Sequence, residues 1–252
     1  MQPRKVSAAH GWRWIRQGFA LFRVSPASWL AIVLLLFAGT RLLAIVPLLG
    51  LLFVLLMPLF VAGVMEGCRS LERGEPLVLA HLACGFRRNA AQLVTIGGVS
   101  LVGNIGLMML VGTLGGEAMS TLAKAAAQGA KPGGLTPELQ EATTAVTSAL
   151  LVGMLLSLPL LMAIWYSPLL VYFRDMTALA AMKSSIIACA KNAPALLMYG
   201  LAVLGGMFLA MPFALALRAP DLAVWLLAPI LLPSLYASYK DLYEAEPEIQ
   251  SD

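Results

Sequence analysis

Only one charge, Arg41, interrupts the apolar run from Val24 to Met65, and it sits near the middle. A helix crosses about 30 Å of hydrocarbon in roughly 20 residues, because each residue rises about 1.5 Å. The run therefore holds two crossings. A charge at the bilayer centre costs at least about 2–3 kcal/mol, so Arg41 is most cheaply placed in a tight turn between spans near 24–40 and 42–65. Four further apolar runs lie near 92–114, 147–173, 194–217 and 221–239, the last two separated by Arg218, Pro220 and Asp221. The pattern predicts an all-α polytopic membrane helical bundle of about six transmembrane helices. It forms a single integral membrane domain over 1–240, followed by a solvated acidic tail over 241–252.

Composition narrows the class further. Of 252 residues, 60% are hydrophobic and 12% charged, with a mean hydropathy of +0.85. Soluble domains run about 45–50% apolar and about 25% charged. So little charge cannot cover a water-facing surface. That excludes a soluble globular enzyme, a disordered chain and a nucleic-acid-binding domain, despite a pI near 9.1. Three cysteines and two histidines are too few for a disulfide framework. The N-terminus does not read as a cleavable signal: its basic residues are interleaved with Trp12, Trp14 and Phe19, and no small-x-small site follows.

Six spans put both termini on one side. Thirteen of the 17 Lys and Arg residues then share that side, leaving Arg41, Lys124, Lys131 and Arg218 opposite. Lys and Arg excess marks the cytoplasmic face, so both termini are expected in the cytoplasm of a bacterial inner membrane.

Three segments resemble one another: FALFRVSPASWL at 19–30, ACGFRRNAAQLV at 83–94 and ACAKNAPALLMY at 188–199. Each carries one or two basic residues, then Ser or Asn with Pro or Ala, then the start of a long apolar run. An amphipathic stretch precedes each. In the first, Trp12, Ile15, Phe19 and Phe22 are expected on one face and Arg13, Arg16 and Arg23 on the other; in the third, Leu179, Met182, Ile186 and Cys189 keep the same spacing. Bulky apolar residues opposite basic ones describe a helix lying flat at a membrane surface. The repeating unit is thus one interfacial helix plus one transmembrane hairpin, over about 8–65, 76–173 and 176–239. Prolines recur in the returning spans, at 47 and 58, 159 and 168, and 229 and 233, where neighbouring helices satisfy the freed carbonyls.

The runs GWRWIRQGF…FRVSPASWL at 11–30, GCRSLERGEP at 67–76, HLACGFRRN at 81–89, ACAKN at 188–192 and ASYKDLY at 237–243 resemble a group of uncharacterised bacterial multipass inner-membrane proteins. The chain is also distantly similar to membrane domains attached to some glycerophosphodiester phosphodiesterases. The first resemblance implies the membrane fold without an activity. The phosphodiesterase barrel has no counterpart, since no soluble segment is long enough to build one.

Residues that could carry chemistry are few. Cys68, His81, Cys84 and Cys189 offer ligands that suit zinc or copper(I), yet they lack a CxxC spacing, and reduced cysteines are commonly small buried hydrophobes. Asn104, the most polar side chain at depth, is expected to bond across to a neighbouring helix, with Gly103 and Gly106 allowing close approach. Lipid headgroup contacts are expected from Arg13, Arg16, Arg23, Arg87, Arg88 and Lys191. The stretch 113–144 reads as the one sizeable outer loop, with a short Ala-rich helix near 118–128. No catalytic, cofactor or metal site is assigned.

These features predict a non-enzymatic membrane scaffold or accessory subunit, with membrane lipids, other membrane proteins or a second copy as partners and no nucleic acid. The alternative is a transport or lipid-handling protein whose hairpins enclose an apolar or amphipathic ligand.

Overall fold

The computed structural model describes residues 2–44, 47–127, 136–219 and 222–244. The helices are α1 (His10–Val24), α2 (Pro26–Ala44), α3 (Pro47–Glu72), the one-turn α4 (Cys84–Arg87), α5 (Ala90–Ala127), α6 (Pro137–Trp165), α7 (Ser167–Arg174), α8 (Ala178–Lys191), α9 (Ala193–Ala216) and α10 (Leu222–Tyr243). Among the described residues, α3, α5, α6 with α7, α9 and α10 are long and apolar enough to cross a membrane. A sixth such segment is α1 with α2, bent by 103° at their junction. The chain is an all-α polytopic membrane helical bundle. It divides into two compact units, Met1–Gly98 with Met162–Asp252, and Val99–Leu161.

In the larger unit, the three similar segments mark helix starts. Ser25, Asn89 and Asn192 each use their carbonyl to accept the first helical amide, from Trp29 at 3.1 Å, Leu93 at 3.1 Å and Leu196 at 3.0 Å. Small polar residues favour this position because they satisfy the backbone outside a helix. The interfacial elements before these starts differ. α1 and α8 are continuous helices, whereas before α5 there is only a 3-10 turn (Leu79–Ala83) and the single turn α4. The expected flat helix is therefore reduced in the second segment. Gly63 and Gly85 set these turns directly against α3: a Cβ at Gly63 would strike the His81 carbonyl, and one at Gly85 the Leu59 carbonyl.

The faces also sort differently from the expected pattern. On α1 the buried residues are Gly11, Trp14 and Gly18, while Trp12 and Phe19 are exposed. The two glycines explain the choice, because they let the helix approach α9 and α10 at backbone distance. A Cβ at Gly11 would collide with the Ala195 carbonyl, and one at Gly18 would lie 2.6 Å from the Ile230 carbonyl. On α8 the buried row is Ala178, Ala181, Ser184, Ser185, Ala188 and Cys189, whereas Leu179 and Ile186 face outward. Small residues face the protein and bulky apolar ones face outward, as expected where lipid gives no drive to bury large side chains.

Arg41 does not lie in a turn. It sits in the last turn of α2, which continues to Ala44, and its guanidinium stacks over Phe37 at 5.1 Å. A cation in the last helical turn also suits the helix dipole. The intervening residues 45–46 lie outside the described ones.

In the smaller unit, the expected outer loop is mostly helix. α5 runs unbroken through 118–127. α6 already begins at Pro137, where Thr136 caps it by accepting from the Leu139 amide at 3.3 Å. The Lys131-Pro-Gly-Gly breaker lies outside the described residues. Ala, Leu and Met in that stretch are strong helix formers, which outweighs its polar content. Close approach of α5 and α6 rests on glycine: Gly103 would place a Cβ 2.7 Å from Leu160, and Gly115 one 3.0 Å from Ala149.

These packings predict a sharp contrast between two glycines. Gly11→Ala should destabilise the fold by about 1–3 kcal/mol through overpacking, since its neighbours are backbone atoms of α9. Gly200→Ala has open space around it and should be neutral or slightly stabilising, by up to about 1 kcal/mol. Thermal unfolding in a mild detergent checks both; equal melting temperatures would refute the close docking of α1.

Candidate functional site

The richest polar cluster is assembled where the two ends of the described chain meet. α10 carries Tyr236, Tyr239, Lys240, Asp241 and Tyr243 on its last two turns. Asp241 accepts three hydrogen bonds: from the Arg4 guanidinium at 2.5 Å, His10 Nδ1 at 2.6 Å and Trp14 Nε1 at 2.8 Å. Its side chain is only 12% exposed. Asp241 was expected to begin a solvated tail; instead the helix continues through it, and three donors from the N-terminal segment and α1 compensate its burial. Residues 245–252 lie outside the described ones.

The N-terminal segment is held at two further points. Its Arg4 amide donates to the Leu242 carbonyl at 2.9 Å. The Asn192 side chain accepts from the Val6 amide at 2.8 Å and donates to the Arg4 carbonyl at 2.9 Å. Around this knot, Lys240 pairs with Glu72 of α3 at 2.8 Å, and the Tyr236 hydroxyl donates to the same carboxylate at 2.9 Å. Arg174 donates to the Tyr239 hydroxyl at 3.3 Å and to the Tyr243 carbonyl at 3.1 Å. An open cavity of about 510 Å³ lies between α1, α3 and α10, lined by Gln17, Leu21, Glu72, Lys240, Asp241 and Glu244. Its three carboxylates are each engaged with a cation, Glu244 with Arg174 at 3.8 Å. The arrangement joins helices.

The expected headgroup residues divide. Arg88 grips Asp175 with both its Nε, at 3.2 Å, and a terminal nitrogen, at 2.6 Å. The pair lies at the surface, with 46% of the Arg88 side chain exposed; a bidentate carboxylate satisfies the guanidinium fork. Asn89 joins the same carboxylate at 2.7 Å and reaches the Val171 carbonyl at 3.0 Å. Asn89 and Asp175 both take left-handed backbone angles, each at φ 53°, which these residue types tolerate. Arg88 and then Asn89 hold the Asp175 carboxyl below its ordinary range, so this contribution to stability exists at neutral pH and is lost as the pH falls below 3.8. Arg13, Arg16, Arg87 and Lys191 are exposed, and Arg23 lies over the Phe19 ring at 6.0 Å.

The remaining candidates also move. Asn104 donates to the Ser100 carbonyl of its own helix at 2.7 Å instead of reaching across, because a lipid-exposed amide needs a partner already within one turn. Gly103 packs against Leu160, while Gly106 has nothing within 4 Å. His81 accepts the Val78 amide on Nδ1 at 3.2 Å and meets the Ser70 hydroxyl through Nε2 at 3.2 Å. A ring bonded this way carries its proton on Nε2 and has no lone pair spare for a metal. Cys68 and Cys189 are buried and Cys84 is half-buried; burial pushes the Cys189 thiol up to about 12.

Sequence reasoning missed Asp241, Glu72 and Asn192. Carboxylates beside a basic, aromatic-rich N-terminus were the available signal, but pairing across more than 160 positions leaves no periodic trace.

A comparison with known proteins places the chain beside a probable inner membrane protein of Burkholderia thailandensis, 29% identical over 261 residues and covering 96% of this chain and 94% of that relative. No family model and no solved structure matches, and neither result bears on the likeness to phosphodiesterase-attached membrane domains. The relative and the apolar helices together make this a multipass inner-membrane protein.

Two outcomes follow from the geometry. Asp241→Asn should cost about 2–3 kcal/mol, because Arg4 is left partly buried without its counter-charge; denaturation in detergent measures it, and an unchanged midpoint would remove Asp241 from its central place. Alkylation with a maleimide at neutral pH should modify Cys84 well before Cys68 or Cys189, since only thiolate reacts and only Cys84 is accessible. Mass spectrometry of the labelled chain reads the order.

Proposed function

We propose that the protein is a membrane scaffold or accessory subunit, with both termini in the cytoplasm and no catalytic role of its own. The observation that carries this reading is the use of the polar side chains where the chain ends meet. Asp241, Arg4 and Asn192 are engaged in fastening the N-terminal segment and α1 to the start of α9 and the end of α10, and Glu72 and Lys240 in tying α3 to α10. What they build is a braced platform that carries Arg4, Lys5, Arg13, Arg16, Arg23 and Lys240. A braced, basic face beside apolar spans suits the display of surface to partners within the membrane or at its edge.

The cytoplasmic assignment follows from the thirteen-to-four division of Lys and Arg. Reporter fusions after Gly74, Lys183 and Asp252 should report the cytoplasm, and fusions at Arg41, Gly129 and Ala219 the opposite side. Reversal at any two sites would overturn the topology. For the scaffold role, the intact chain is purified from native membranes and its associated proteins are counted by mass spectrometry. A protein partner in stoichiometric amount supports the scaffold. Its absence, with one specific lipid retained, would favour the lipid-handling alternative instead.

A further inference from the structure

We propose that the outward face of α1 binds anionic phospholipid headgroups of the protein's own membrane. Trp12, Arg16, Phe19 and Arg23 follow one another at i, i+4, i+7 and i+11, which places all four within a narrow arc of one helix face. All four are exposed, Trp12 by 54% and Phe19 by 45%. Arg13 flanks the row and is exposed too. The opposite face, with Gly11, Trp14 and Gly18, is pressed into α9 and α10. The row therefore points away from the protein.

Position and charge identify the occupant. α1 joins α2 at 103°, so with α2 crossing the bilayer, α1 lies close to the membrane plane at the end of a span. Phosphodiester groups sit at that depth, and Trp and Phe beside Arg match its mixed polarity. α1 contains no acidic residue. In the larger unit Arg4, Arg88, Arg174 and Lys240 are each paired with a carboxylate; Arg13, Arg16 and Arg23, like the more scattered Arg73, Arg87 and Lys191, have no such partner among the described residues. A planar guanidinium meets phosphate with two parallel hydrogen bonds. Three unneutralised guanidiniums alternating with two aromatic rings thus present a surface complementary to a sheet of anionic headgroups.

The test uses the full chain purified in a neutral detergent. Phosphatidylglycerol is titrated in and counted by native mass spectrometry, with phosphatidylcholine as the uncharged comparison and inorganic phosphate as a competitor. The triple variant Arg13→Gln, Arg16→Gln, Arg23→Gln is compared with a charge-matched control, Lys5→Gln, Arg73→Gln, Lys183→Gln, whose residues are exposed outside α1. Each arginine near an anionic surface contributes about fivefold, so the α1 triple should weaken phosphatidylglycerol binding on the order of a hundredfold and the control by about threefold or less. Glutamine is a good helix former; should the triple variant still misfold, Arg16→Gln alone should lose about fivefold. Equal losses in the two triples would mean a diffuse basic field and would overturn the proposal. So would unchanged binding in the α1 variants, equal affinity for phosphatidylcholine, or displacement of the lipid by inorganic phosphate, which would assign the row to a free anion.

Discussion

The fastening of the N-terminal segment and α1 to α10 through Asp241 is the interaction on which the larger unit depends. A carboxylate with 12% of its side chain exposed is tolerable only when donors replace the water it has lost. Here the donors come from Arg4, His10 and Trp14, so the carboxylate cannot be satisfied until the N-terminal segment and α1 have docked. Docking in turn requires Gly11 and Gly18, because only a surface without Cβ atoms lets α1 come close enough for its Trp14 indole to reach α10. The glycines set the distance and the carboxylate sets the register. Neither would suffice alone: close packing of small residues is weakly directional, and a single ion pair at a partly wet boundary contributes little.

The same economy runs through the rest of α10. Its inner half buries Ser234, Ser238, Tyr236, Tyr239 and Tyr243, an unusual load of hydroxyls for a helix counted among the spans. Ser234 and Ser238 turn back to the carbonyls three residues earlier, at 2.7 Å each. Tyr199 closes on Ser234 at 2.8 Å, and Tyr243 donates to the Ser184 carbonyl at 3.0 Å. Each hydroxyl finds a partner within reach, so a polar helix can stand among apolar ones. On α8 the small Ser184 meets the Tyr243 hydroxyl directly.

Spans, helix starts and the all-α class were legible in the sequence because they depend on local quantities: run length, hydropathy and the residue placed before a helix. Ser25, Asn89 and Asn192 stand where the three similar segments put them. Inward and outward faces were not legible in the same way. Periodicity gathers Trp12 with Phe19 along α1, but it sets Arg16 on the other face, whereas all three are exposed, and it cannot say that Gly11 and Gly18 will outcompete the large apolar residues for contact with the protein. That inversion belongs to membranes, where hydrocarbon accepts Trp12 or Leu179 as readily as a core does. Arg41 misled for a related reason: a charge is costly at mid-bilayer, yet at a helix end it can stack on Phe37 and keep the helix intact.

Charge shows the limit most plainly. Counting Lys and Arg by side needs only the spans, whereas deciding which of them remain available needs every carboxylate placed in space. Arg87 and Arg88 are adjacent, chemically identical and both exposed, yet Arg88 pairs with Asp175, next to Asn89, which turns the backbone left-handed between α4 and α5. On α1 the reverse holds. Asp241 is filled by Arg4, His10 and Trp14 from the inward side, while the arginines of the outward face point away from it. The inner ion knot and the outer basic row are therefore one arrangement: the first is built from the face that the glycines admit, and the second is the remainder of the same helix.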